Sequence, residues 1–250
     1  MREGLVSIIT PTYNCGRFIG RTIDSVLAQT YEDWEMIIVD DRSTDDTKAV
    51  VDEYMAKDSR IKYTLLNENS GAAVARTKAM VLAEGEYMAF LDSDDIWLPE
   101  KLRLQLDFMN ENGYAFSCTA YEQIDEDDNS LGRIIRTVKR TDYNRLLLDC
   151  PVGNSSVMYS VKKMGKFEVP DIRKRNDDAL WLRMLKKEKY IMGMPEVLMR
   201  YRIRKRSVSS NKLSVIKYHW KLYREIEQLS MLRSAFHICW WCFLKVFKIK

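Results

Sequence analysis

The chain has 250 residues, a formal net charge of +4, and 46% hydrophobic and 30% charged residues. This ordinary globular composition excludes a disordered tail, a collagen-like rod and a small disulfide-stabilised protein. The length predicts one or two domains with a large buried core.

The first half of the chain alternates short apolar runs with amphipathic stretches. Strands are predicted at residues 5–10, 35–39, 61–66 and 87–91, and helices at residues 17–29, 44–56, 71–82 and 99–110. Strands that alternate with helices of this length are typical of βαβ units. We therefore expect an α/β fold in which helices flank a mostly parallel central sheet.

The second half has a different pattern. Strand-like runs at residues 114–119, 131–138 and 155–160 mix with an acidic turn at residues 125–128, and helices return at residues 177–187 and from residue 212. We interpret residues 113–212 as a continuation of the same sheet, which completes the functional site begun by residues 1–112. Residues 213–250 are predicted to form a basic, aromatic-rich helical extension.

Acidic residues follow two of the predicted strands. Residues 40–41 (DD) follow the second strand, and residues 92–95 (DSDD) follow the fourth. Ligands of parallel sheets bind at the carboxyl ends of strands, so function is expected here. The period of a strand predicts that Asp92 and Asp94 point to one side, as a pair of ligands for Mg²⁺ or Mn²⁺. The alternative is a turn-forming cap of the next helix.

Asp41 has two interpretations that the spacing leaves open. It can cap the helix that follows, as Ser43 and Thr44 also can. It can equally recognise a base or a ribose across the sheet.

Rival nucleotide and hydrolase motifs are absent from the sequence. No G-x-G-x-x-G follows the first strand, and neither G-x-x-x-x-G-K-[ST], G-x-S-x-G nor H-E-x-x-H occurs. His219 and His237 lie in the basic C-terminal segment, away from the acidic strand ends. A histidine base is therefore not expected.

Five sequence blocks occur in a characteristic order. They are residues 6–14 (VSIITPTYN), 37–46 (IIVDDRSTDD), 69–78 (NSGAAVARTK), 85–98 (GEYMAFLDSDDIWL) and 176–185 (NDDALWLRML). The chain resembles, over about residues 5–210, the inverting glycosyltransferases of family 2, which have the Rossmann-like GT-A fold. The stretch at residues 201–213 resembles the bacterial cell-wall and surface-polysaccharide branch.

The resemblance implies a nucleotide-diphospho-sugar donor, usually linked to UDP, and a divalent metal, Mg²⁺ or Mn²⁺. The implied nucleotide-binding residues are Thr10, Pro11, Tyr13, Asp41, Arg76, Asp92 and Ser93. Within this set, the first three would wall the base pocket, Asp41 would accept from the uracil ring, and Asp92 would meet the ribose. Asp94 would hold the metal.

The resemblance also implies a catalytic block. Residues 176–181 (NDDALW) align with the family's Glu-Asp-x-x-Leu-Trp. This makes Asp177 the expected catalytic base and puts Asp178 and Trp181 at the sugar or acceptor site. A shift of one residue in the alignment would make Asp178 the base. The sequence departs from the family pattern at two places, so the resemblance does not define the sugar specificity: Asn176 stands where the family more often has Glu, and residues 77–78 (TK) replace the usual Asn.

The expected reaction is a metal-assisted single displacement that moves the sugar to a saccharide or lipid-linked acceptor. Arg202, Arg204 or Arg206 would bind the diphosphate, or else the three belong to a basic surface loop. A sugar-nucleotide pyrophosphorylase is the alternative enzyme, but residues 10–18 (TPTYNCGRF) lack the Gly-rich loop that it needs. An inactive carbohydrate-binding homologue is the other alternative.

The C-terminal segment carries most of the positive charge. Residues 200–250 contain 13 Lys and Arg against 2 Asp and Glu, whereas residues 1–199 contain 27 against 34. The apolar stretch at residues 235–244 is too short to span a bilayer, but Trp, Phe and flanking basic residues favour a membrane interface. A helix packed on the protein body or a dimer contact is the alternative. Nucleic acid is not expected, since no helix-turn-helix or RNP-like pattern occurs.

The cysteines and the N-terminus favour a reducing compartment. The five cysteines are an odd number with a single C-x-x-C (residues 239–242) and no second pair, and the first residues lack a long apolar signal region. Together with the basic tail, this predicts a cytoplasmic protein at the cytoplasmic face of the membrane.

Overall fold

The computed structural model describes residues 1–204 and 212–246. The strands are β1 (Arg2–Thr12), β2 (Trp34–Asp40), β3 (Ile61–Leu65), β4 (Gly85–Phe90), β5 (Ile96–Trp97), β6 (Phe116–Ile124), β7 (Ser130–Ile135), β8 (Arg140–Thr141), β9 (Met158–Ser160) and β10 (Ile191–Arg202). The helices are α1 (Gly16–Leu27), α2 (Thr47–Met55), α3 (Ala72–Leu82), α4 (Lys101–Glu111), α5 (Tyr143–Leu148), α6 (Val161–Met164), α7 (Asn176–Leu185), α8 (Lys212–Lys221) and α9 (Met231–Val246).

One mixed sheet joins both halves of the described chain. Its strand order is β3-β2-β1-β4-β9-β6-β10-β5, with β7 paired to β6 and β8 paired to β10. The first four strands are mutually parallel, as predicted, whereas β9 runs antiparallel to both β4 and β6. The second half therefore extends the same sheet, and the α/β fold prediction is confirmed.

The central strands are buried on both faces because helices cover both. Ile8 and Ile38 pack on one face with Ile23 of α1, whereas their neighbours Ile9 and Ile37 pack on the other face with apolar residues of α3 and α7. This alternation follows from the period of two along a strand. Continuous apolar runs are typical of parallel strands in such sheets.

The predicted elements of the first half agree with the structure to within about three residues at their ends, but β10 and β5 are not predicted. The apolar residues of β10 are interrupted by Gly193, Pro195 and Glu196, which weaken the strand pattern. The strand pairs along β6 with shifts in register at this interruption. Its far end reaches Arg202, beside the acidic residues that follow β4.

The segment between α8 and α9 packs on α5 and on the end of α7. The Tyr223 hydroxyl donates to the carbonyl of Leu147 (3.0 Å), and the buried Glu227 carboxylate accepts from the Tyr143 hydroxyl (2.5 Å) and pairs with Lys186 (2.7 Å). On α9 itself, Ser234 and His237 are buried and the helix contacts α5, so packing on the protein body, which the sequence left as an alternative, holds for one face of this helix.

Trp181 does not form a wall of the sugar or acceptor site, and that prediction is wrong. The side chain is fully buried and makes an edge contact with the ring of Phe90 (centroids 4.8 Å apart) and a tilted contact with Phe116 (5.7 Å). Its position on α7 faces the core instead of the strand ends. Trp181 thus fixes α7 to the sheet from behind.

We expect Trp181→Ala to lower the free energy of unfolding by about 3–5 kcal/mol, because it removes a large aromatic side chain from the core. Trp240→Ala is the matched control: Trp240 is 39% exposed on α9, so its removal should change stability by about 0.5 kcal/mol or less. Urea denaturation measures both. Equal losses in the two variants would contradict the core assignment.

Candidate active site

The acidic residues after β4 form a turn, which we call the acidic turn (residues 92–95). The strand ends at Phe90, and the amide of Asp95 donates to the carbonyl of Asp92 (3.1 Å). The strand-period argument for Asp92 and Asp94 is therefore wrong. The two residues nevertheless share one turn, and the negative charge of Asp94 helps to raise the pKa of Asp92.

Asp95 anchors the acidic turn in the core. Its carboxylate accepts from the Ser155 hydroxyl (2.5 Å) and from the backbone amide of Arg202 (2.9 Å). The same Ser155 hydroxyl accepts from the amide of Asp92 (3.0 Å). Burial, and then the charges of Asp94 and Asp92, raise the pKa of Asp95 well above its ordinary value.

Sequence reasoning missed Ser155. It lies in a short 3-10 turn (Asn154–Ser156), in which all three residues are buried. The only sequence signal was a run of small polar residues directly before an apolar strand. Such runs are common, so the signal was weak.

Asp92 is held by two donors. One carboxylate oxygen accepts from the Arg76 guanidinium (3.0 Å) and from the side-chain amide of Asn154 (2.7 Å). Burial first, and then the negative charges of Asp94 and Asp177, raise the pKa of Asp92 to about 6, against the lowering effect of Arg76. The negative charge of Asp177 thus acts directly on the acidic turn.

Arg76 connects three elements. From α3 it reaches Asp92 on the acidic turn and the side-chain oxygen of Asn176 at the start of α7. The arginine is buried, with 4% of its surface exposed. The position at which the family more often has Glu is therefore a direct partner of this arginine, and the first turn of α7 is tied to the acidic turn.

The neighbouring acids Asp177 and Asp178 have different surroundings. Asp178 is buried and forms an ion pair with Arg175. Asp177 is partly exposed in the first turn of α7, where a helix N-terminus favours negative charge. The prediction that Asp178 lies in the sugar or acceptor site is wrong, because its carboxylate is committed to Arg175.

Asp41 orders the loop before α3 and does not cap α2. Its two carboxylate oxygens accept from the amides of Ser70 (2.6 Å) and Gly71 (2.8 Å). Gly71 has a φ of +94°, a conformation that favours glycine. Because α3 starts directly after this glycine, Asp41 helps to position Arg76.

The end of β1 packs beside these loops. Thr10 and Pro11 are buried, whereas Tyr13 is 49% exposed. The Cys15 thiol lies 3.3 Å from the carbonyl of Ser93, so the start of α1 contacts the acidic turn. The predicted base-pocket residues thus lie at the same edge of the sheet as Asp41 and Asp92.

Arg202 is not available to a diphosphate, and that prediction is wrong. Its fully buried guanidinium donates to the carbonyls of Asp94 (2.7 Å) and Asp125 (2.9 Å) and pairs with Asp128. Arg204 is 28% exposed and forms an ion pair with the Asp94 carboxylate (3.1 Å). Arg206 lies outside the described residues.

The acidic turn fits a metal shared with a substrate better than a site made by protein ligands alone. Across residues 1–204 and 212–246, no group of three or more His, Cys, Asp or Glu side chains is placed to hold a metal. Mg²⁺ typically takes one or two carboxylates together with substrate phosphates. The oxygen atoms of Asp92 and Asp94 match that requirement.

Comparison with known proteins identifies the family. Residues 7–171 match the model of glycosyl transferase family 2. The chain belongs to this family. It is therefore a glycosyltransferase, which confirms the predicted enzyme class and sets aside the pyrophosphorylase and the inactive homologue.

Similar curated proteins cover nearly the whole chain. TuaG of Bacillus subtilis (strain 168), assigned by name to teichuronic acid biosynthesis, is 44% identical over 98% of this chain and 95% of its own length. WfgD of Escherichia coli, named UDP-Glc:alpha-D-GlcNAc-diphosphoundecaprenol beta-1,3-glucosyltransferase, is 37% identical over 93% of this chain and 90% of its own length. These names agree with the predicted cell-wall and surface-polysaccharide branch.

Solved structures confirm the GT-A fold. The structure of S. aureus TarS in complex with UDP has a TM-score of 0.68, 20% identity, and covers 93% of this chain, which in turn covers 69% of that chain. The Pyrobaculum calidifontis mannosyltransferase PcManGT, in complex with GDP-Man and Mn²⁺, has a TM-score of 0.65 and 18% identity over 90% of this chain and 64% of that chain. At these identities the likeness establishes the fold.

We expect Ser155→Ala to lower the free energy of unfolding by about 1–3 kcal/mol, because the buried Asp95 carboxylate and Asp92 amide both lose a partner. Ser156→Ala is the matched control, since this buried neighbour donates only to the carbonyl of Gly153 (2.7 Å) and should cost less. Denaturant titration compares them. Equal losses would contradict the anchoring role of Ser155.

Proposed function

We propose that the protein transfers a sugar, with inversion, from a nucleotide-diphospho-sugar to a lipid-linked saccharide in the synthesis of a bacterial envelope polysaccharide. UDP is the proposed nucleotide. The observation that carries the proposal is the acidic turn at the carboxyl end of β4, linked through Arg76 to the first turn of α7. One site thus combines carboxylates for the donor with a separate, partly exposed carboxylate for the acceptor.

The donor would lie along the edge formed by β1, β2 and the acidic turn. The exposed Tyr13 would contact the base, with the buried residues Thr10 and Pro11 behind it, while Asp41 would contact the uracil ring and Asp92 the ribose. Asp41 can fill this role only with lone pairs that the Ser70 and Gly71 amides leave free. The names of WfgD and of the TarS complex, with UDP-Glc and UDP, support the choice of nucleotide.

Asp94 would hold Mg²⁺ or Mn²⁺ together with the donor diphosphate. The metal, when bound, supplies charge compensation for the departing diphosphate as a Lewis acid. The structure of PcManGT, which is a complex with GDP-Man and Mn²⁺, supports this choice. The residues of the chain keep Asp94 in place: Arg202 binds its carbonyl, and Ser155 and the Arg202 amide fix its neighbour Asp95.

Asp177 would be the general base. It accepts the proton of the acceptor hydroxyl while that oxygen forms a bond to the anomeric carbon. The bond from the anomeric carbon to the diphosphate oxygen breaks in the same step, and its electron pair leaves with the nucleoside diphosphate. Support for this choice is that Asp177 is partly exposed next to Asn176, which Arg76 links to Asp92, whereas Asp178 is buried and paired.

Asp177→Asn should retain the fold and donor binding but lose about 10²- to 10⁴-fold in transfer rate, the usual contribution of a general base. Asp178→Asn is the matched control, and it should reduce stability while retaining most of the transfer rate. The assay measures UDP release from UDP-sugars with a lipid-linked acceptor. Near-full activity of Asp177→Asn combined with loss in Asp178→Asn would reverse the assignment.

Helix α9 would contact the membrane surface. Leu232, Phe236, Trp240 and Phe243 are 39–85% exposed and recur every three or four residues along one face. Among the helices within residues 1–204 and 212–246, none is long and apolar enough to cross a bilayer. An apolar, aromatic face on a basic segment is typical of a helix that lies in the interface of an anionic membrane. This would bring the protein to lipid-linked acceptors at the cytoplasmic face.

We expect the double variant F236S/W240S to lose most of its binding to vesicles of phosphatidylglycerol and phosphatidylcholine, because it removes two apolar anchors. The matched control is L131S/I134S on β7, whose side chains are about equally exposed (49% and 50%). Co-sedimentation measures the bound fraction. Unchanged binding of the α9 variant, or an equal loss in the control, would contradict the proposal.

A further inference from the structure

Asp94, the predicted metal ligand, forms an ion pair with Arg204. A terminal nitrogen of Arg204 lies 3.1 Å from one carboxylate oxygen of Asp94, and the two side chains are 28% and 23% exposed. The guanidinium also lies 4.9 Å from the centre of the Phe18 ring. The positive charge of Arg204 is thus fixed beside the carboxylate that the proposed function assigns to a divalent cation.

The position of Arg204 beside Asp94 follows from the end of β10. Arg202 is clamped by the carbonyls of Asp94 and Asp125 and by Asp128, and its own amide donates to Asp95. Arg204 follows two residues later and lies over the same Phe18 ring. Because four contacts hold Arg202, the backbone at the end of β10 is fixed, and this places Arg204 next to the acidic turn.

The two arginines differ in how easily they can move. The Arg202 side chain is fully buried, so its release would leave several buried polar groups without partners. The pair between Arg204 and Asp94 is partly exposed, and ion pairs of this kind contribute little net free energy. A second cation can therefore displace Arg204 without disturbing the fold.

We propose that Arg204 is a tethered counter-ion, which neutralises Asp94 in the free enzyme and is displaced when a divalent cation binds. Once displaced, it turns to the donor diphosphate, so that metal binding makes a diphosphate ligand available. This inference rests on the proposed function of Asp94. The physical basis is that Arg204 and a divalent cation repel each other at one carboxylate, whereas both attract the diphosphate.

The test measures two affinities with opposite expected changes. Titration of Mn²⁺ alone, followed by electron paramagnetic resonance at low ionic strength, should give about threefold tighter binding to Arg204→Gln than to the wild type. Titration of UDP at saturating Mn²⁺ should give weaker binding to Arg204→Gln. Arg204→Lys, which keeps the charge, should bind Mn²⁺ like the wild type.

Arg17→Gln is the matched control. Arg17 lies 5.3 Å from the same Phe18 ring and is 58% exposed, but it pairs with Glu126 and Asp127 instead of Asp94. Arg17→Gln should leave the affinities for Mn²⁺ and for UDP within about twofold of the wild-type values, since surface ion pairs away from a site contribute little to binding there.

The outcomes separate this inference from the proposed function. Unchanged or weaker Mn²⁺ binding to Arg204→Gln would overturn the counter-ion role, as would equal effects of the Arg17 variant. Unchanged UDP binding would overturn the transfer of Arg204 to the diphosphate. If no sugar is transferred from any donor while the Mn²⁺ affinities change as expected, the proposed function fails and the counter-ion role stands.

Discussion

The site depends on the burial of several carboxylates at one edge of the sheet. Burial disfavours the charged form of a carboxylate, and Asp92, Asp94 and Asp95 also repel one another. Each of the three nevertheless has a specific partner: Arg76, Arg204 and Ser155, respectively. Because the anchored residue Asp95 holds the turn, the proposed function can assign the other two carboxylates to the donor. The second half of the chain supplies Ser155 and Arg204, so both halves of the sheet contribute to this edge.

Two sets of hydrogen bonds connect the acidic turn to the rest of the site. Asp41 fixes the loop that begins α3, and α3 in turn delivers Arg76. Arg76 joins Asp92 to Asn176, which starts the helix of the proposed base. Because Asn176 is neutral, Asp92 is the carboxylate that pairs with Arg76.

Family and fold could be predicted from the sequence because local patterns encode them. Buried parallel strands are continuous apolar runs, and the acids follow them directly. The rest depended on contacts between distant residues. Trp181 and Arg202 have side-chain types that are common in substrate sites, but their partners, which lie far away in sequence, bury both. Ser155 carried no local signal, and the interrupted pattern of β10 concealed the strand that delivers Arg204.

The proposed function requires that the acidic turn bind the donor through a metal on Asp94. The most direct test is titration of UDP into wild type, D94N and D127N, each with Mn²⁺ and with excess chelator. We expect chelator or D94N to weaken UDP binding by about 10- to 100-fold, whereas D127N, which changes an exposed acid on the turn before β7, should behave like the wild type. Equal UDP affinity with and without Mn²⁺, and in D94N, would contradict it.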